Sequence, residues 1–170
     1  MKRLRPIAII VLLLIVLCTL FYIGYQSMTS FNAKKTFLPC QHEFEIVNSY
    51  VMEMCSDFDK AFLGIYFSKT NNSVELSLYL DSSIIGSDVN STEDVDNALI
   101  TIKENAFSQD FSFINVTKER ISYGGEGNFM YVYTIDGQKP TYFYSKDSDV
   151  ASFKTIHLKG NWYLLVNRAR

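Results

Sequence analysis

The side chains able to do chemistry are few, and each sits in a pattern that can be held against what its chemistry needs. The acidic stretch DVNSTEDVD, residues 88–96, invites a calcium reading. With Asp88 in the first loop position, Asn90, Thr92 and Asp94 would be ligands. The sixth position is then Glu93 where the turn needs glycine, and the twelfth is Leu99 where a bidentate glutamate is needed. The same residues serve better as a helix start, with Thr92 as a cap and acids in the first turn. No metal or cofactor site is expected.

His42 and His157 are the two histidines. His42 is followed by Glu43, but no second histidine stands four residues on, so the zinc-protease helix is missing. A Cys–His pair drawn from Cys40, Cys55 and His157 has no local signature behind it. Gly124-Gly125-Glu126-Gly127 lacks the Lys-Ser/Thr that a phosphate loop requires and is followed by a strand pattern, so it reads as a turn. No serine lies in a Gly-x-Ser-x-Gly elbow. Nothing here carries an enzyme signature, and the expectation is a protein that is not an enzyme.

Aromatic residues form the densest constellation. In FMYVYTIDGQKPTYFY, residues 129–144, period-two alternation puts Phe129, Tyr131 and Tyr133 on one side of a strand. A turn at Asp136-Gly137, or one running from Asp136 to Lys139 that spares Pro140 an amide role, would bring Tyr142 and Tyr144 back beside them. Both registers leave the rings on one face, since they differ by an even number of residues. Rings that are apolar in body and polar at the tip suit a binding surface. They equally suit a core beneath a helix, and Met130, Val132 and Phe143 on the opposite side could be the core instead.

The elements that must position these groups follow from the periods. Phe44, Val47, Val51, Met54 and Phe58 recur at three and four, which predicts an amphipathic helix. That helix bears on Cys40 and Cys55, which an oxidising compartment could join in a disulfide. Unbroken between them, it would hold their Cα atoms about 22 Å apart, against the roughly 4.4–6.8 Å a bridge allows. A helix starting near Glu45 with residues 38–41 folded back would permit the bond. Alternation then predicts strands at Leu63–Phe67 and Val74–Leu80, a loop holding Gly86, and a second helix carrying Val95, Leu99, Ile102 and Ala106. Beyond Asp110 the pattern is strand throughout: Phe111–Tyr123, Phe129–Ile135, Thr141–Ser145, Val150–Leu158 and Trp162–Asn167. The class is α+β, with two helices packed on an antiparallel meander sheet. Helix first and meander after resembles cystatin-like folds in element order, which implies an architecture and no function.

The chain opens MKRLRPIAIIVLLLIVLCTLFYIGYQ. An uncharged run over Pro6–Tyr25 is long enough, at about 1.5 Å per residue, to cross about 30 Å of hydrocarbon. It is longer than a secretory apolar region and lacks a good cleavage site, so it reads as a retained transmembrane signal-anchor. Lys2, Arg3 and Arg5 place residues 1–5 in the cytoplasm and the remainder outside. Residues 26–39 read as a stalk and 40–170 as one exported domain. Beyond the anchor, thirteen of the 16 basic side chains stand against all 18 acidic ones, a formal charge of −5. That balance argues against nucleic acid. Asn71, Asn90 and Asn115 each begin an Asn-x-Ser/Thr acceptor pattern. The expected protein is a single-pass, cell-membrane, extracytoplasmic binding domain, held by the lipid bilayer and facing a protein or cell-envelope partner. An accessory subunit of a membrane complex is the alternative, and an enzyme with a scattered site a more distant one.

Overall fold

The computed structural model describes residues 14–19, 34–68, 73–80, 83–87, 89–107, 111–125, 129–141 and 153–167. The chain divides into two compact units, Met1–Lys35 and Thr36–Arg170. In the first, residues 14–19 are helical with Leu14 to Leu17 exposed. The rest of the Pro6–Tyr25 run lies outside the described residues. Among the described residues no helix is long and apolar enough to cross a membrane.

The second unit is α+β. Helix α1, Gln41–Met54, buries Phe44, Val47, Asn48 and Val51 along one stripe, as its period requires. A 3-10 turn over Leu38–Cys40, with Pro39 in its first positions, leads straight into it. Strands β1 (Lys60–Phe67), β2 (Val74–Leu80) and β3 (Ser83–Ser87) follow. Helix α2, Glu93–Ala106, begins where the Thr92 hydroxyl accepts from Val95 N–H, and three acids occupy its first turn. Then come β4 (Phe111–Thr117), β5 (Arg120–Gly125), β6 (Phe129–Thr134), β7 (Phe153–Lys159) and β8 (Trp162–Asn167).

The eight strands form one sheet, ordered β3-β2-β1-β4-β5-β6-β8-β7, with every pairing antiparallel. This is not a plain meander. After β3 the chain passes through α2 and returns to the open edge of β1, and the β7–β8 hairpin docks through β8 rather than β7. Two further readings are corrected. The Gly86 segment is a strand, paired to β2 across a bulge at Leu78/Tyr79. Phe111–Tyr123 is a hairpin rather than one strand, because the Thr117 hydroxyl accepts from the amides of Glu119 and Arg120 and turns the chain.

The helices share one face of the sheet. Phe44 of α1 meets Tyr123, Tyr131 and Trp162 with ring centroids 4.9–5.3 Å apart. Past the end of α2, Phe107 stacks on Phe111 and Phe129. Phe37 is 0% exposed and packs on Phe44, Tyr131 and Trp162. The stalk therefore cannot extend to Pro39: the folded unit starts at Thr36. The far face is covered in part as well. Met130, Val132, Tyr163 and Leu165 form a buried cluster there with Phe113 and Phe153 against it, and the Tyr163 hydroxyl donates to Gly137 O. Strand β6 is thus core on both sides.

Candidate functional site

Each candidate from the sequence has a definite place. Cys40 caps the start of α1 and Cys55 its end, and both thiols are free and buried. The unbroken helix is the alternative realised, and it keeps the two from bridging. Burial pushes the Cys55 thiol up to about 11. Burial, aided by the Glu43 carboxylate, also raises Cys40. His157 is exposed on the far face, against Tyr163, and its Nε2 lies 2.8 Å from Gly160 O. A carbonyl only accepts, so Nε2 carries the proton. Cys40 packs with the helix face, so no Cys–His pair assembles.

Strand β6 carries Phe129, Tyr131 and Tyr133 on the helix face, opposite Val166, Leu164 and Trp162 of β8. Tyr131 is 2% exposed and ringed by Phe37, Phe44, Phe107 and Phe129, which makes it core beneath α1. Its hydroxyl lies 3.1 Å from Thr36 Oγ1, and burial raises its phenol despite that bond. Tyr133 is half-buried at the edge of the same cluster. Tyr142 and Tyr144 lie outside the described residues. Among the described residues, β5 and β8 occupy the two edges of β6. Of the described rings, Tyr131 is core and Tyr133 stands at its edge.

One opening among the described residues adjoins Tyr133. It is a cleft of about 510 Å³ between α1 and the end of the β7–β8 hairpin. Gln41, Glu45, Asn48, Ser49 and Met52 form one wall. Their spacing of four, three, one and three puts them on a single stripe beside the buried one. Tyr133, Trp162 and the turn Lys159-Gly160-Asn161 form the other. Gly160 holds φ at +54°, which glycine adopts without the steric cost of a side chain, and this lets the turn close tightly.

A short chain of hydrogen bonds fixes the polar wall. Gln41 donates through Nε2 to Glu45 Oε1 at 2.6 Å and accepts from Lys159 Nζ at 2.9 Å. One carboxylate and one ammonium are thereby balanced around a carboxamide, leaving the cleft near neutral. Ser49 donates to the main-chain carbonyl of Glu45, not to a base. Asn48 is 6% exposed, with its Oδ1 accepting from the Tyr123 hydroxyl at 2.6 Å. That contact orients the amide and leaves Nδ2 as the atom on the cleft side. Among the described residues Nδ2 has no hydrogen-bond partner.

The apolar stripe of α1 gives no sign of this site. The polar stripe was visible at the same helical spacing, but not the hairpin turn facing it. Other chemistry is sparse: among the described residues no three His, Cys, Asp or Glu side chains converge as metal ligands. Asn115 lies in β4 on the far face, 4% exposed, so its acceptor pattern cannot carry a glycan in the folded domain. Comparison with known protein families, curated proteins and solved structures finds no match.

Proposed function

We propose that this chain is a membrane-tethered binding domain, held by its N-terminal apolar run with residues 36–170 on the outer side, and that a partner enters the α1/β8 cleft. The observation that carries the reading is the Asn48 side chain, buried as a residue and bonded through Oδ1 to Tyr123, which leaves Nδ2 as a donor facing a preformed cleft where a ligand acceptor could replace solvent. The cleft volume also falls within the roughly 300–1,000 Å³ usual for ligand sites. The tether rests on the Pro6–Tyr25 run and its basic flank, as argued from the sequence.

Two measurements test this. Carbonate extraction of membranes, with protease treatment of intact cells, should show a retained protein whose C-terminal part is cut from outside. Extraction into the soluble fraction, or loss of the first 25 residues, would remove the tether. For the site, a photo-crosslinking amino acid placed at Met52, on the cleft rim, should give an adduct in cells. The same group at Tyr66, exposed on β1, should give none. Equal or absent adducts at the two positions would remove the cleft.

A further inference from the structure

We infer that the cleft takes a short extended peptide segment of a partner protein, whose main-chain carbonyl accepts from Asn48 Nδ2 while an apolar side chain packs on Tyr133 and Met52. This rests on the binding-domain reading above and narrows it to one class of ligand.

Three features select a peptide. First, the group facing the cleft is a donor, since the Tyr123 hydroxyl donates to the amide oxygen from behind. A carbonyl is its complement, and every peptide unit has one. Second, the rim is apolar and adaptable. Met52 is 43% exposed, and Tyr133 presents a half-buried ring. An exposed methionine beside an aromatic edge repacks around side chains of varied shape. Third, the charges on the wall are already balanced through Gln41, so a strongly charged ligand gains no net attraction.

A neutral saccharide is the competing class, and the aromatic geometry argues against it. A sugar ring needs an open aromatic plane. Trp162 is 3% exposed, with Phe37, Phe44, Tyr123 and Tyr133 packed around it at centroid distances of 4.9–5.8 Å. The cleft therefore meets an aromatic edge and a thioether rather than a platform. Asn161 adds a further carboxamide to the lining, a group able to donate to or accept from a main-chain unit.

The test uses the full-length chain in detergent micelles. A random heptapeptide phage library is panned against it, and a panel of neutral oligosaccharides is assayed in parallel. Enriched peptides should share one apolar position. Their affinity, read by fluorescence polarisation, should fall by about tenfold or more in Met52→Glu, in line with loss of a central contact. Asn48→Asp keeps the oxygen that meets Tyr123 and replaces the outward donor by an acceptor, so it should lose binding to a similar extent. Thermal melts of each variant verify folding, and Ser49→Arg, exposed on the same wall, blocks the cleft should Asn48→Asp fail to fold. Peptide binding insensitive to Met52→Glu and Ser49→Arg overturns the inference. Cleft-dependent binding of oligosaccharides alone also overturns it, while the binding-domain reading stands. If neither library binds, both fall.

Discussion

Tyr123 of β5 donates a 2.6 Å hydrogen bond to Asn48 Oδ1 of α1, joining helix to sheet where both side chains are buried. One bond thus does two things. It satisfies the phenol inside an apolar cluster, and it aims the Asn48 amide at the cleft. The pair links the core to the candidate site.

Replacing that phenol tests the link. Tyr123→Phe keeps the ring and its contacts with Phe44 and Trp162 but leaves Asn48 Oδ1 without its donor. A loss of about 1–3 kcal/mol is expected, the cost of a buried acceptor left unpaired. Urea melts of the two proteins measure it. A variant as stable as the parent would show that the bond contributes nothing.

Phe37 distinguishes a folded-unit boundary at Thr36 from one at Cys40. Its ring is enclosed by Phe44, Tyr131 and Trp162. Phe37→Ala should cost about 3–5 kcal/mol, as truncation of a large core ring does. A stalk residue would change stability by a few tenths at most. Thermal denaturation separates the two outcomes.

Tyr131 and Tyr133 share a strand face yet should respond differently. Tyr131→Ala removes a ring packed on all sides and should cost about 3–5 kcal/mol. Tyr133→Ala, at the half-buried edge, should cost clearly less while weakening any ligand of the cleft. Equal melting temperatures for the two variants would contradict the placement of the core.

Alkaline pH should weaken the domain. The Cys55 thiol is raised from 9.0 to about 11 by burial, so between those values the unfolded chain releases a proton that the folded chain keeps. Stability contributed by this group is present below pH 9 and declines as pH rises to about 11. The Tyr123 phenol, raised well above 10.0 by burial, adds a further decline beginning near its ordinary value. Urea melts across this range should show the fall, and Cys55→Ala should lose part of it. A flat profile, or rapid alkylation of Cys55 in the native protein at pH 8, would contradict the burial of this thiol.

Much of the local structure was legible in the amino-acid order, because it depends on near neighbours. The stripe Phe44, Val47, Val51 gave α1 its face, Thr92 marked the start of α2, and the leucines of β2 alternate as their burial does. What failed were long-range choices. No period told that β6 would have β5 and β8 at its edges. Alternation also presumes one dry face, so it set Tyr131 against Val132 as rivals for the core, and the structure buries both.

The candidate site divides in the same way. By itself the sequence determined that Gln41, Glu45, Asn48, Ser49 and Met52 share a helical stripe, since helix geometry is set within a few residues. Only the tertiary structure decided that the β7–β8 turn stands opposite, with Lys159 bonded to Gln41 across 118 positions of chain. It also decided that Tyr123 takes one end of the Asn48 amide and leaves the other open. Such pairings depend on how the sheet orders its strands, and that order is settled by the packing of the whole domain rather than by any local run of residues.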